Sequence, residues 1–152
     1  MDDNGAIVVG YDDSEFAKHA LRRGLWLADQ LHAPLQVVRA WTVSTAPRPR
    51  TWEPGYVPPV EDFAAEVLDQ LRTQVAPILA EYPQVSVTLQ VPHGAAGREL
   101  VKASEDARLV VVGSRGRGGF AGLLLGSVSG EVVEHAHCDV VVVRRTAPAA
   151  SA

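Results

Sequence analysis

The chain has 152 residues, 47% of them hydrophobic and 21% charged, with a formal net charge of −4. That length suits one domain with room for a core, and the composition excludes a disordered or fibrous chain. The acidic balance argues against a general polyanion binder, and the single Cys138 excludes an intrachain disulfide framework. "MDDNGAIVVG" opens with acids where a secretory leader carries positive charge, and no run reaches the ~18 apolar residues of a membrane span. The expected location is the cytoplasm, with neither membrane nor nucleic acid as a partner.

The first element in chain order is a β-branched run, Ile7 to Tyr11, leading into "GYDDSE", a polar and acidic opening for a helix. That helix is expected to reach about His32, with Phe16, Ala20, Leu21, Leu25, Leu27, Ala28 and Leu31 on one apolar stripe and Pro34 as its stop. At its start Asp12, Asp13 and Ser14 all suit an N-cap, and Asp12 and Glu15 have capping-box spacing. Leu35 to Trp41 reads as a second strand. From Thr42 to Pro59 the prolines at 47, 49, 54, 58 and 59 rule out a helix, and the length predicts a mobile lid or a disordered excursion. Trp52 and Tyr56 there either cover a bound ring or anchor the loop locally.

Glu61 to about Glu81 shows helical periodicity through Phe63, Val67, Leu68, Leu71, Val75, Ile78 and Leu79, with Pro77 kinking or shortening the last turn. Val85 to Val91 alternates as a strand, "RELVKASEDA" forms a short helix, and "RLVVVG" is a continuous apolar strand. After a glycine-rich loop, Ser127 to Ala136 reads as a helix and Val140 to Val143 as the last strand. Strands alternating with helices, several of them valine runs buried on both faces, predict an α/β fold with a parallel sheet and helices on both sides. A single domain is expected over residues 1–146, followed by a disordered tail at 147–152.

The loop "GSRGRGGFAGLLLGSVSG", residues 113–130, joins a strand end to a helix start, where an open α/β sheet places its ligand crevice. Backbone N–H groups and the helix dipole favour an anion, and glycines let a phosphate approach the backbone. Ser127 and Ser129 offer hydroxyls, and Arg115 and Arg117 positive charge, so phosphate is the expected guest. The P-loop pattern fails for want of a lysine, and the kinase loop for want of its companion motifs. "GRGGFA", residues 116–121, matches G-x-G-x-x-A loosely, which keeps an NAD- or flavin-binding oxidoreductase module as an alternative. "HAHCD", residues 135–139, does not read as a metal site, because His135 and His137 cannot share one helical face.

Gly113-x-x-Gly116, nine residues, then Gly126-Ser127 resembles the G-x-x-G-x9-G-[ST] signature of the ATP-binding branch of the universal stress protein family. "IVVGYDDSE", "VVVGSRGRGG" and "HCDVVVVRR" extend the resemblance over about residues 5–145. It implies an open parallel five-stranded sheet of order 3-2-1-4-5, Rossmann-like and adenine nucleotide alpha hydrolase-like, with the ends of strands 1 and 4 side by side. It implies that Asp12 lies near the adenosine, that Ala40 lines the adenine pocket through its backbone, and that Gly113 and Gly116 wrap the ribose-phosphate. Val112 and Arg115 join them in the site, while Gly126, Ser127, Val128 and Ser129 give backbone and hydroxyl contacts to the phosphates.

The expected ligand is ATP or another adenine nucleotide, with Mg²⁺, bound by a cytoplasmic stress-response or signalling protein. Catalysis beyond weak ATP hydrolysis or autophosphorylation is not expected, since no residue can be nominated as its base. The last strand, Val140, Val141, Val142 and Val143, would lie at a sheet edge and predicts a homodimer. A dimeric scaffold that works without ligand is the other reading. Asp139 stands where many relatives have proline, and the doubled Asp12-Asp13 leaves open which acid faces the ligand.

Overall fold

The computed structural model describes residues 4–116 and 124–144. Its elements are β1 (Ala6–Gly10), α1 (Glu15–Leu31), β2 (Leu35–Val38), α2 (Val60–Leu79), β3 (Val87–Gln90), α3 (Ala96–Ala103), β4 (Ala107–Gly113), α4 (Ser127–His135) and β5 (Asp139–Val143). The strands pair in parallel in the order β3-β2-β1-β4-β5, the order implied by the resemblance. From β1 the chain first steps outward through β2 to β3, then returns to the other side of β1 for β4 and β5. The direction of winding therefore reverses between β1 and β4, and a crevice opens beyond their carboxyl ends.

Strand pleating divides the valine runs between two apolar layers. Ile7, Val9, Leu35, Val37 and Val111 pack against Ala20, Leu21, Leu25 and Ala28 of α1 and Leu71 and Val75 of α2. Val8, Val38, Val110 and Val112 point the other way, onto Leu100 of α3 and Val132 of α4. With both faces covered, no position of β1 between Ile7 and Val9 can be polar. Gly24 sits mid-helix where a methyl group would collide with the Val9 side chain. Its propensity penalty of ~1 kcal/mol is offset by letting α1 lie directly on β1.

Several boundaries differ from expectation for identifiable reasons. Ser14, not Asp12, is the N-cap of α1: its Oγ accepts from the Ala17 amide at 3.1 Å, while Asp12 Oδ1 accepts from the Ser14 amide at 3.0 Å. Asp13 adopts φ 64°, and this left-handed step delays the helix, so the Asp12–Glu15 capping box does not form. At the other end His32, with φ 52°, caps the helix by returning its amide to the Ala28 and Asp29 carbonyls, ahead of Pro34. Ala17 and Gly24 are buried on the stripe, whereas Phe16 and Leu27 are half-buried and Leu31 is exposed. β5 begins one residue early, at Asp139, which pairs with Leu109.

Residues 42–59 form neither a lid nor a free excursion. Trp52 meets Phe63 edge-on at 6.4 Å between ring centroids, and Phe63 stacks on the buried Trp41 at 6.2 Å. Thr51 Oγ1 donates to Asp62 Oδ2 at 2.7 Å, and Arg50 lies within ion-pair distance of Glu66 and Asp69. The prolines forbid a helix, but the aromatic and polar anchors fasten the segment onto α2. Arg117 to Leu123, which hold most of "GRGGFA", and the tail at 147–152 lie outside the described residues.

Candidate functional site

Beyond the carboxyl ends of β1 and β4 lies a cleft, partly open to solvent. The candidate site residues Asp12, Ala40, Val112, Gly113, Arg115, Gly116, Gly126, Ser127, Val128 and Ser129 all line it, Trp52 and Tyr56 do not, and Arg117 lies outside the described residues. The sheet order explains why residues so far apart in sequence meet, because β2 and β4 both flank β1.

The cleft has two chemically distinct sides. Val38 and Ala40 at the end of β2, with Ala96 and Leu100 of α3, form an apolar wall. Across β1 the segments 113–116 and 126–129 form a rim of glycine, serine and Arg115. α4 starts from Gly126 without a side-chain cap and with no acid in its first turn, so its N-terminal amides keep their partial positive charge. Gly10, Tyr11, Ala17, Val38, Ala96 and Leu100 complete the lining and were not singled out from the sequence. The sequence marked α3 as a short helix but not as a wall of the cleft.

Asp12 and Asp13 separate at this point. Asp12 lines the cleft, and a methyl group at Gly116 would stand 2.5 Å from its Oδ2, so the carboxylate and the rim are in close apposition. Asp13 is not part of the lining; its Oδ1 accepts the Tyr11 hydroxyl at 3.0 Å. Burial, followed by that hydrogen bond and the Asp13 charge, holds Tyr11 far above the ordinary tyrosine range, as a neutral phenol.

The two rim segments are tied together through one residue, Ser114. The Ser114 carbonyl accepts from the Gly126 amide at 2.7 Å and from Ser129 Oγ at 2.8 Å, and the Ser114 amide donates to the Val143 carbonyl at 2.9 Å. Ser129 Oγ also approaches the Gly126 carbonyl at 3.2 Å. This corrects the expectation that Ser129 offers its hydroxyl proton to a phosphate: the side chain is buried and its proton is held by backbone carbonyls. Ser127 remains at the exposed mouth. Gly113 has a packing role of its own, since a methyl group there would come within 2.7 Å of Phe16 Cβ and 2.9 Å of its backbone.

Among the described residues no group of three or more His, Cys, Asp and Glu side chains is placed to hold a metal ion. Cys138 has its thiol pushed up, first by burial and then by the Asp139 charge. No helix among the described residues is long and apolar enough to cross a membrane.

An apolar slot and an amide-rich rim meet where the sheet reverses its winding, in a domain of the doubly wound α/β class. The model of the universal stress protein family matches residues 4–144, and the chain belongs to that family. Universal stress protein Rv2623 of Mycobacterium tuberculosis (strain ATCC 25618 / H37Rv) is 34% identical over 140 residues, covering 92% of this chain and 45% of that protein. Universal stress protein Rv2624c of the same strain is 35% identical over 138 residues, covering 91% and 47%. The chain thus spans about half the length of the curated relatives it matches. Among solved structures, UspA from Lactobacillus plantarum superposes with a TM-score of 0.72 at 21% identity, over 93% of this chain and 98% of that one. A universal stress protein in complex with cAMP gives 0.67 at 25% identity, over 93% and 97%.

Proposed function

We propose that this chain captures an adenine nucleotide, with Mg²⁺-bound ATP as the expected ligand, and works as a cytoplasmic stress-response protein through binding and not turnover. The observation that carries the reading is the two-sided cleft. A flat base fits the wall of Val38, Ala40, Ala96 and Leu100, Asp12 accepts ribose hydroxyls, and the backbone at Gly116 and the amides of the first turn of α4 receive the phosphates. Arg115 adds positive charge at the same rim. Mg²⁺ would ride on the nucleotide's own phosphates, because the described residues offer no acidic cluster for it. A universal stress protein 25% identical to this chain is known in complex with cAMP, which supports the adenine class.

The open edge of β5, Val140 to Val143, is the expected seat of a homodimer. Purified protein should release an adenine nucleotide on denaturation, detectable by mass spectrometry. Calorimetric titration with ATP, AMP, cyclic AMP and NAD then ranks the candidates. Failure of every adenine nucleotide to bind at millimolar concentration would overturn the reading.

A further inference from the structure

A second groove lies on the outward side of α1. His19, Arg22, Arg23 and Trp26 share one face of the helix and meet Val143 at the end of β5. The groove is basic although the chain carries a net charge of −4. Arg22 Nε lies 3.4 Å from Glu81 Oε2, and the Arg23 guanidinium sits 5.4 Å above the centroid of the Trp26 ring. Trp26 is 44% exposed, so an arginine-covered aromatic faces outward beside an open strand. Tryptophan and arginine are the residues that most often anchor protein–protein contacts.

The chain itself carries an acidic group suited to that groove. Val141 and Val143 of β5 pack on the α1 side of the sheet and Val140 and Val142 on the other, so by strand alternation the exposed Asp139 belongs to the α1 side. Suppose two copies pair β5 with β5 antiparallel, about a two-fold axis normal to the sheet. The α1 sides then coincide, and only residues on the same side can stand opposite each other. Full overlap of the strand centres the axis on Val141 and sets each Asp139 opposite the partner's Val143. Each carboxylate then stands on the α1 side, beside the other copy's basic groove.

We propose that the occupant of the α1 groove is Asp139 of a second copy of this chain, forming two symmetry-related charge latches that fix the register of β5 pairing. The inference rests on the proposed β5-edge homodimer and adds to it the group that reads the partner. None of His19, Arg22, Arg23, Trp26 or Asp139 lines the nucleotide cleft.

Sedimentation velocity on the full chain tests it with two variants, Asp139→Lys and the double variant Arg22→Glu/Arg23→Glu. Each homodimer then opposes like charges at both latches, and self-association should weaken ~10-fold or more. Mixed in equal amounts, the two variants pair opposite charges at both latches and should form a heterodimer about as tight as the wild-type homodimer. Wild-type association should weaken with added salt, and wild-type-like nucleotide binding and melting temperature establish that the variants are folded. If both variants self-associate as tightly as the wild type, the latch is wrong while the dimer stands. A monomeric wild type overturns the latch and the proposed dimer together, leaving the nucleotide reading intact.

Discussion

Alanine at Gly113 and alanine at Gly126 should have opposite effects, although both glycines belong to one motif. At 113 the new methyl group lies 2.7 Å from Phe16 Cβ and 2.9 Å from the Phe16 carbonyl carbon and oxygen. Backbone atoms cannot swing aside, so the first turn of α1 must shift. Overpacking of this kind costs ~1–3 kcal/mol, against ~0.4–1 kcal/mol gained by restricting the unfolded chain. The net loss of ~1–2 kcal/mol lowers Tm by ~2–8 °C in a chain of this size. At 126 nothing lies closer than Arg115 Cα at 3.4 Å, and φ of −74° suits any residue. Gly126→Ala should therefore melt ~1–4 °C above wild type, yet its methyl group projects between the two rim segments and should weaken nucleotide binding. Thermal unfolding by circular dichroism and calorimetric titration read both effects. A Gly113→Ala protein as stable as wild type refutes the packing argument, and wild-type affinity in Gly126→Ala refutes the role given to the rim.

Ser129→Ala removes the buried hydroxyl that ties α4 to the Ser114 carbonyl and should cost ~1–2 kcal/mol in denaturant unfolding; an unchanged midpoint would show the tie to be idle. Trp52→Ala should lower stability by ~1–3 kcal/mol without altering nucleotide affinity, because Trp52 packs on Phe63 and lines no part of the cleft. A loss of affinity there would restore the lid. Cys138, its thiol pushed up by burial and by Asp139, should react with iodoacetamide at pH 8 more slowly than free cysteine, and an equal rate contradicts the assignment. Native Tyr11 keeps a proton that unfolded tyrosine releases near pH ~10. Its contribution is complete below that pH and is lost as pH rises further, so Tyr11→Phe should flatten the alkaline fall in stability seen by denaturant titration.

The layered architecture was legible because the parallel strands are buried on both sides and spell themselves as valine runs, and turn chemistry marks the gaps between them. What stayed hidden depends on neighbours distant in sequence. Gly24 looks like a weak point in a helix until Val9 is seen beneath it. Asp12, Asp13 and Ser14 are equivalent cap candidates in a string of letters, and only the left-handed turn at Asp13 assigns the cap to Ser14. The rim could be read because its glycines lie between a strand end and a helix start, whereas Asp12 was implied only by the family resemblance, its own context marking no more than a helix cap. The wall from Ala96 and Leu100 could not be read, since small and aliphatic residues on a short helix carry no mark of what they face. Ser129 shows the reverse: the motif drew attention to the hydroxyl, and the fold turned it inward.

Ser114 stands at a junction whose meaning reaches past its hydrogen bonds. Its carbonyl holds the rim and its amide holds the last residue of the edge strand, so one residue, through the two peptide units that meet at its Cα, serves both the cleft and the sheet's open border. The φ and ψ of Ser114 are the only soft joints between those units. With two soft dihedrals between them, the proposed nucleotide and the proposed partner would each hold backbone next to the other's without a rigid link, and nucleotide titrations above and below the concentration at which the chain self-associates would read any coupling between the two.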